Sequence, residues 1–293
     1  MILEPIYLAT LIYGFGIVLL IGLTALYLNV LTKDGFIAGL LVGVPILVFG
    51  GFDNFILLLL FLVLGSFLSR IGKDVKSRYN PIGERVGTRA WPNVVANGFW
   101  PMVSSVMIYF NSPPHVKIAW EMFFMGSLAS MVADTSATEI GMLSRNMPRL
   151  IVKPDSRVEP GKSGGVTLLG TLASILFTAI FAILAYFISG FNPLIEYTLI
   201  GFSPLVYMKS SELALLAIVV LAGFLGSFID SILGATLQAK YRCGVCGKEV
   251  EVSIHCGEEA RYLGGIRFID NHMVNFISSF FGGVIAVSLF FLI

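Results

Sequence analysis

The chain has 293 residues, of which 56% are hydrophobic and only 13% charged, and its mean hydropathy is +0.88. Soluble domains carry about 25% charged residues, so this composition excludes a soluble globular protein and indicates an integral membrane protein. The net charge of +1 gives no sign of a nucleic-acid partner. Because the first ten residues contain Glu4 and no Lys or Arg, we expect no cleaved signal peptide and a first hydrophobic segment that stays.

Eight hydrophobic segments could cross a bilayer, whose ~30 Å core needs about 20 helical residues. In chain order they are 6–30, 36–50, 53–70, 91–110, 118–134, 166–189, 211–236 and 271–292. The short second segment is included because Gly35, Gly39 and Gly43 recur at the four-residue spacing of closely packed membrane helices. We therefore predict an all-α fold: a polytopic bundle of about eight transmembrane helices, forming a single transmembrane domain over 1–293.

The positive charges predict the orientation of this bundle. Of 19 Lys and Arg residues, six lie in 70–89, five in 135–165 and five in 237–270, so we expect these three connections to be cytoplasmic. A ninth span at 193–207 would place 237–270 on the opposite side, so that stretch is predicted to be re-entrant or interfacial. The resulting prediction is a prokaryotic plasma-membrane protein with both termini outside and 237–270 as a cytoplasmic loop.

Polar residues gather at the predicted cytoplasmic ends of the spans. Asp134 and Glu139 lie in "SMVADTSATEIG" (130–141), and Asp230 ends another span. Any one of these residues could be a cap or an interfacial anchor, but each charge near hydrocarbon costs roughly 2.5–3.5 kcal/mol, which favours a shared site. The other predicted members, from the remaining cytoplasmic ends, are Arg85, Arg89, Asn93, Asn97, Lys162, Ser163, Gly164, Gly165, Asn271 and Asn275.

These residue types indicate the chemistry of the site. Carboxylate and amide oxygens suit Mg²⁺, which we expect Asp134 and Asp230 to hold, and cationic side chains with glycine N–H groups suit phosphates. This combination predicts Mg²⁺-assisted phosphoryl or nucleotidyl transfer. On a straight helix Asp134 and Glu139 would point roughly 140° apart, so either the helix breaks or they have different partners; we expect Glu139 to orient the neighbours of Asp134 or bind a second ion.

The segment "GKSGG" (161–165) is not a Walker motif, because Ser156 stands where that motif has glycine. We expect Gly164 and Gly165 to begin a membrane helix, whose free N–H groups could contact phosphate. A simple loop before a helix is the alternative.

All three cysteines lie in "YRCGVCGKEVEVSIHCG" (241–257). This spacing predicts a small knuckle that holds a structural Zn²⁺ ion through Cys243, Cys246 and Cys256, with His255 as the candidate fourth ligand. A disulfide is disfavoured in a reducing cytoplasmic loop, while a redox pair and plain structural cysteines remain alternatives.

Five sequence blocks, in this order, resemble the phytyl-phosphate kinase family of integral membrane proteins, also called domain of unknown function 92 or transmembrane protein 19-like. They are "GTRAWPNVVANG" (87–98), "ADTSATEIG" (133–141), "GKSGGVTLLGTLAS" (161–174), "GSFIDSILGATLQ" (226–238) and "NHMVN" (271–275). Asp134, Ala137 and Gly141, with Lys162 and Ser163 downstream, are also similar to the pattern of dolichol and phytol kinases.

This resemblance implies phosphorylation of an isoprenyl monophosphate, of the phytyl or geranylgeranyl type, to the diphosphate with CTP or ATP. The alternatives are an ion-coupled transporter of lipid or isoprenyl phosphate, and a cytidylyltransferase that acts on a lipid phosphate.

Overall fold

The computed structural model describes residues 5–76, 87–110, 113–190 and 212–292. Its helices are α1 (Pro5–Tyr27), α2 (Lys33–Arg70), α3 (Lys73–Lys76), α4 (Trp91–Phe110), α5 (Pro114–Gly141), α6 (Leu168–Gly190), α7 (Glu212–Thr236) and α8 (Asn271–Phe290). By length and composition, five helices of this described part could each cross a membrane, namely α2, α5, α6, α7 and α8. The predicted polytopic helical bundle is therefore confirmed.

Helix α2 is a hairpin of two helical limbs rather than one straight rod. Gly51 interrupts it with φ 85° and ψ 177°, a left-handed conformation that glycine adopts without steric cost. A Cβ built on either Gly35 or Gly65 would collide with Arg89, although thirty residues of straight helix would separate these glycines by about 45 Å. The limbs 33–50 and 52–70 correspond to the predicted spans 36–50 and 53–70, so the described chain contains eight long helical segments.

Helix α5 occupies the centre of the bundle and packs against α2, α4, α6, α7 and α8. Every residue from 121 to 133 is buried. Small residues allow the close approach: a Cβ on Gly126 would collide with the carbonyl oxygen of Gly282 in α8, and one on Gly223 in α7 would lie 2.9 Å from the Ala129 oxygen. The residues that follow 133 on α5 therefore emerge among the ends of several helices.

Two helix boundaries differ from those predicted. Helix α5 continues without a break to Gly141, beyond the expected end at 134, so Asp134 and Glu139 share one helix. Helix α6 begins at Leu168, because Gly165 and Val166 form a strand instead. The stretch 193–207 lies outside the described residues.

Short antiparallel strands form outside the bundle. β1 (Arg149–Leu150), β2 (Lys153–Arg157) and β3 (Gly165–Val166) form a sheet in the order β2-β1-β3; β4 (Lys240–Arg242), β5 (Glu249–Val250) and β8 (Arg261–Gly264) form one in the order β5-β4-β8; β6 (Ile254–His255) and β7 (Glu258–Glu259) form a hairpin. The strands in 135–165 were not predicted, since segments of two to five mostly exposed residues carry no hydrophobic alternation. The all-α description therefore holds for the membrane part alone.

Candidate active site

A pair of facing carboxyl groups forms the centre of the site. Asp134 of α5 and Asp230 of α7 are in side-chain hydrogen-bonding contact, and Ser227 hydrogen-bonds to Asp134. Ser278 of α8 donates its hydroxyl proton to Asp230 Oδ2 at 2.8 Å. Within the described ranges no Lys or Arg forms an ion pair with either carboxylate. Two ionised carboxylates in direct contact would repel each other, so the pair needs a shared proton or a bound cation.

A chain of asparagine side chains leads away from this pair. The Asn275 amide lies between Asn97 and Asp230: in one orientation it donates to Asn97 Oδ1 at 3.5 Å, and in the other to Asp230 Oδ2 at 3.2 Å and the Asn271 carbonyl at 3.1 Å. Asn97 in turn donates to Asn93 Oδ1 at 3.2 Å. The predicted four-residue spacings on α4 and α8 thus form one polar connection between two helices.

An apolar pocket begins where this chain ends. It opens partly to the outside. The lining comes from α1, both limbs of α2 and α4, and its polar members are Arg89, Asn93 and Asn97. The pocket therefore has an apolar body and a polar end that adjoins the asparagine chain.

Arg89 is fixed at that polar end. Its backbone pairs with Leu31, and its guanidinium lies 4.9 Å from the centre of the Phe61 ring, a cation–π contact. Burial lowers the pKa of Arg89 to about 10, against the attraction of Glu139, which raises it. At neutral pH the side chain therefore carries a positive charge beside the pocket.

Glu139 belongs to a different cluster from Asp134. It accepts a hydrogen bond from Ser69 Oγ at 2.5 Å and pairs with Lys76 Nζ at 2.6 Å, where the Lys76 side chain is 0% exposed. Lys76 also donates to the Leu68 carbonyl at 2.7 Å. The two carboxylates of "ADTSATEIG" have different partners, which is one of the two outcomes expected from helix geometry.

The segment Lys162–Gly165 is held by the 237–270 loop. Lys162 Nζ pairs with Glu249 Oε1 at 3.0 Å, and the Ser163 N–H donates to Glu251 Oε1 at 2.9 Å. Gly164 packs so closely on α7 that a Cβ there would collide with Ala235. The segment thus adjoins the end of α7 that carries Asp230.

The expectation that Gly164 and Gly165 begin a membrane helix was wrong. Gly165 belongs to β3, and its N–H donates to the Lys162 carbonyl at 2.9 Å, so this N–H group has a protein partner. The backbone turns through Gly164 with φ 76° and pairs as a strand before α6 begins at Leu168. A phosphate contact in this segment remains a prediction.

Several polar residues near the site were missed in the sequence. Lys76 lies in a basic connection and was counted only toward orientation, while Ser69, Ser227 and Ser278 are small hydroxyl residues common in membrane helices. Glu251 lies inside the cysteine motif, between Cys246 and His255, and nothing in the local sequence distinguishes it from the other acidic residues of the loop. Arg85, which was predicted to clamp phosphate, lies outside the described residues.

The predicted knuckle brings its four side chains together. The ligand atoms of Cys243, Cys246, His255 and Cys256 all lie within 4.8 Å of one another. The Cys246 N–H donates to Cys243 Sγ at 3.5 Å, which chiefly lowers the pKa of Cys243 to about 6. Burial and the neighbouring thiols raise the pKa of Cys256 to about 11.

Comparison with known proteins gives the relationship of the chain. The chain is 31% identical to Protein PGR of Arabidopsis thaliana over 284 residues, covering 89% of the chain and 90% of that protein. It is 29% identical to an uncharacterized membrane protein of Methanocaldococcus jannaschii over 261 residues, with 88% and 93% covered. A membrane protein of Synechocystis is 24% identical over 265 residues, with 89% and 83% covered.

No solved structure matches the chain. The model of one family, described as "Integral membrane protein DUF92", matches residues 16–283. This match covers both carboxylates, the asparagine chain, the pocket and the cysteine knuckle. The chain therefore belongs to the DUF92 family of integral membrane proteins.

Proposed function

We propose that the protein is a membrane kinase that transfers a phosphoryl group from CTP or ATP to an isoprenyl monophosphate of the phytyl or geranylgeranyl type. One observation carries the proposal: the asparagine chain connects the polar end of an apolar pocket to a pair of carboxylates without an ion-pair partner among the described residues. An isoprenyl phosphate has the same two parts, an apolar tail and an anionic head.

The pocket would take the isoprenoid tail. Its wall is apolar except at one end, so burial of the tail there is favourable at roughly 25 cal/mol per Å². Arg89 stands at the polar end with its charge retained, where its guanidinium suits a phosphate. The head group would thus lie beside Arg89 and Asn93, near the asparagine chain.

Asp134 and Asp230 fit a magnesium ion. Their carboxyl groups are in contact, partly or fully buried, and without a cationic side-chain partner in the described part of the chain, and carboxylate oxygens are the ligands that Mg²⁺ prefers. Bound Mg²⁺ would supply charge neutralisation for the nucleotide phosphates. Ser227 and Ser278 hold the two carboxylates in place through their hydroxyl groups.

The reaction needs no catalytic base from the protein. An anionic oxygen of the lipid monophosphate attacks the γ-phosphorus of the nucleotide, a new P–O bond forms, and the bond from that phosphorus to the bridging oxygen breaks. The nucleoside diphosphate leaves with the bridging oxygen, and no proton must be removed from the acceptor. The residues of the chain therefore act by positioning and by charge, as is usual in phosphoryl transfer.

The orientation is part of the same proposal. The three Lys- and Arg-rich connections would lie in the cytoplasm, where nucleotides are available, with both termini outside the plasma membrane of a prokaryote. Arg89, just before α4, pairs with Leu31 in the connection between α1 and α2, and it lies close to Gly65 in the second limb of α2 and to Glu139 near the end of α5. This supports the placement of these chain segments on the same side of the membrane.

The test is nucleotide consumption by purified protein in detergent with Mg²⁺, CTP or ATP, and geranylgeranyl or phytyl monophosphate. We expect release of CDP or ADP that depends on the lipid, together with formation of the lipid diphosphate. Release of pyrophosphate would instead support cytidylyl transfer. No consumption with either nucleotide and either lipid would overturn the proposal.

A transporter is the second candidate, because α5 carries another buried carboxylate. Glu121 is 6% exposed and accepts hydrogen bonds from Asn54 Nδ2 at 3.3 and 3.5 Å. It precedes Asp134 by thirteen residues, or about 20 Å of helix, and buried carboxylates along one membrane helix are typical of ion pathways. Movement of isoprenyl phosphate across liposomes without nucleotide would favour this function.

A further inference from the structure

We propose that Cys243, Cys246, His255 and Cys256 bind one Zn²⁺ ion and that this zinc knuckle positions Glu251, which fastens the segment Lys162–Gly165 to the end of α7. The metal site stands independently of the proposed kinase activity. The fastened segment lies next to the proposed active site. An effect of the zinc knuckle on catalysis therefore rests on the kinase proposal, whereas zinc binding and the position of Glu251 do not.

The geometry of the four side chains fits a tetrahedral metal. With Zn–S bonds of ~2.3 Å and Zn–N bonds of ~2.0 Å, a sulfur and a nitrogen ligand lie roughly 3.5 Å apart. His255 Nδ1 lies 3.2 Å from Cys256 Sγ and 3.6 Å from Cys246 Sγ. Three sulfur atoms and one imidazole nitrogen form a complete closed ligand set for zinc.

The backbone conformation at Cys256 also fits a bound metal ion. Cys256 has φ 53°, a left-handed conformation that a residue with a Cβ adopts only when surrounding interactions compensate its cost. This conformation lets His255 and Cys256, adjacent in the chain, present their ligand atoms to the same point. Coordination of both side chains to one metal ion would supply the compensation.

A disulfide explains the cluster less well than a metal ion does. A disulfide joins two sulfur atoms and leaves the third cysteine and His255 without a reason to converge. All three cysteines are free thiols in the structure. The Cys246 N–H donates to Cys243 Sγ, and the C-x-x-C turn closes with the Gly247 N–H donating to the Cys243 carbonyl at 3.0 Å. Such a turn presents both sulfur atoms to one side.

The knuckle is connected to the candidate site through β5. The strand β5 (Glu249–Val250) pairs with β4 and leads directly to Glu251. One Glu251 oxygen accepts the Ser163 N–H at 2.9 Å, and the other accepts Gln238 Nε2 at 2.7 Å, where Gln238 is 1% exposed. The four knuckle residues flank β5, with Cys243 and Cys246 before it and His255 and Cys256 after it. A zinc ion bound to them would add to the pairing of β5 with β4 and so would hold Glu251 between the segment and α7.

Metal analysis of the purified full chain tests the site. We expect about one zinc ion per chain in the wild type and a loss of roughly tenfold or more in the Cys243→Ser, Cys246→Ser double variant. The His255→Cys variant should keep its zinc, because it completes a four-thiolate site. Wild-type protein without zinc, or a double variant with undiminished zinc, would overturn the proposal.

The positioning role has its own measurement. In zinc-loaded Glu251→Ala protein, we expect zinc content to stay at about one per chain while hydrogen exchange at the Ser163 amide rises roughly tenfold or more. Removal of zinc from the wild type with a chelator should raise the same exchange, and added Zn²⁺ should restore it. Because chelation is carried out on the wild-type protein, it tests the effect of zinc even if the double cysteine variant does not fold.

The matched control is Glu259→Ala, which removes an exposed carboxylate from β7 of the same loop. It should change neither the zinc content nor the exchange at Ser163. Unchanged exchange in both the Glu251→Ala and the chelated protein would overturn the positioning role and leave the metal site standing. None of these readouts uses nucleotide or lipid, so failure of the kinase proposal would be seen separately.

Discussion

Asp134 and Glu139 lie five residues apart on α5, yet their surroundings are electrostatically opposite. Glu139 pairs at 2.6 Å with Lys76, whose side chain is fully buried, and accepts a hydrogen bond from the Ser69 hydroxyl. Asp134 instead faces a second carboxyl group, Asp230. The Glu139 cluster is complete in charge and in hydrogen bonds, whereas the aspartate pair still needs a cation or a proton.

This difference separates a structural role from a functional one. A carboxylate whose charge is already compensated holds elements together, here the short helix α3 against the ends of α2 and α5. An uncompensated buried pair is kept at a cost to stability, and such pairs concentrate at functional sites. Glu139 was predicted as a site residue along with Asp134, and the following variants test whether the two roles differ.

The largest expected effect is on turnover in Asp134→Asn and Asp230→Asn. Each should reduce the proposed kinase activity roughly 10³-fold or more, since charge stabilisation in phosphoryl transfer depends on these carboxylates. Stability should be unchanged or higher, because each change removes repulsion between like charges. Lipid-dependent release of nucleoside diphosphate and thermal unfolding in detergent measure the two properties.

Glu121→Gln is the matched control, because it changes a buried carboxylate near the other end of the same helix. A kinase should keep its activity in this variant to within a few-fold. A transporter whose ion pathway runs from Glu121 to the aspartate pair would instead lose transport in Glu121→Gln as well as in the two aspartate variants. Wild-type kinetics in Asp134→Asn would end the assignment of this residue.

The second effect is on stability in Glu139→Gln. The change leaves the Lys76 ammonium buried without its partner, so the free energy of unfolding should fall by about 3–5 kcal/mol. Unfolding with increasing SDS in mixed micelles measures it. The Lys76→Met, Glu139→Gln double variant should recover part of the loss, and a Glu139→Gln protein as stable as the wild type would contradict the structural role.

A smaller effect is expected for Arg89→Lys. Lysine keeps the charge but loses the planar guanidinium, whose hydrogen bonds to a charged group contribute about 1.5–3 kcal/mol. The KM for the lipid monophosphate should therefore rise roughly 10- to 100-fold, with a smaller change in kcat. Steady-state kinetics with varied lipid would separate the two, and an unchanged KM would place the head group elsewhere.

The smallest effect concerns the length of the tail. Gly39 lines the pocket, and a Cβ built on it has its nearest neighbour 3.6 Å away, so Gly39→Leu should fill empty space there. At about 0.8 kcal/mol per buried CH₂, the preference for a geranylgeranyl over a geranyl phosphate should fall roughly tenfold. Gly16→Leu is the control, because Gly16 is exposed and its Cβ would meet nothing within 4 Å.

Local sequence signals were sufficient for much of the candidate site. The four-residue spacing of Asn93 and Asn97, and of Asn271 and Asn275, predicted shared helical faces, and the structure connects Asn97 with Asn275. The cysteine spacing predicted the knuckle for the same reason, since its ligands are close in the chain. Asp134 and Asp230 were chosen because charged residues are rare at the ends of apolar helices.

The partners of these residues could not be predicted in the same way. Lys76 lies sixty-three residues from Glu139, and nothing in a basic connection distinguishes the one ammonium that folds into the protein. The strand at Gly165 depends on pairing with β1, fifteen residues earlier, which outweighs the tendency of an apolar segment to continue as helix. Glu251 acquires its role only because the loop folds back onto Ser163.

The sequence by itself determined the membrane class, the helical segments and the residue types available for chemistry, because hydropathy, charge and short-range spacing act locally along the chain. The tertiary structure alone decided which carboxylates are compensated, where the apolar pocket opens, and how α2 turns back at Gly51. The physical reason is that the energy of a buried charge depends on groups brought close by packing, and those groups come from helices far apart in the chain.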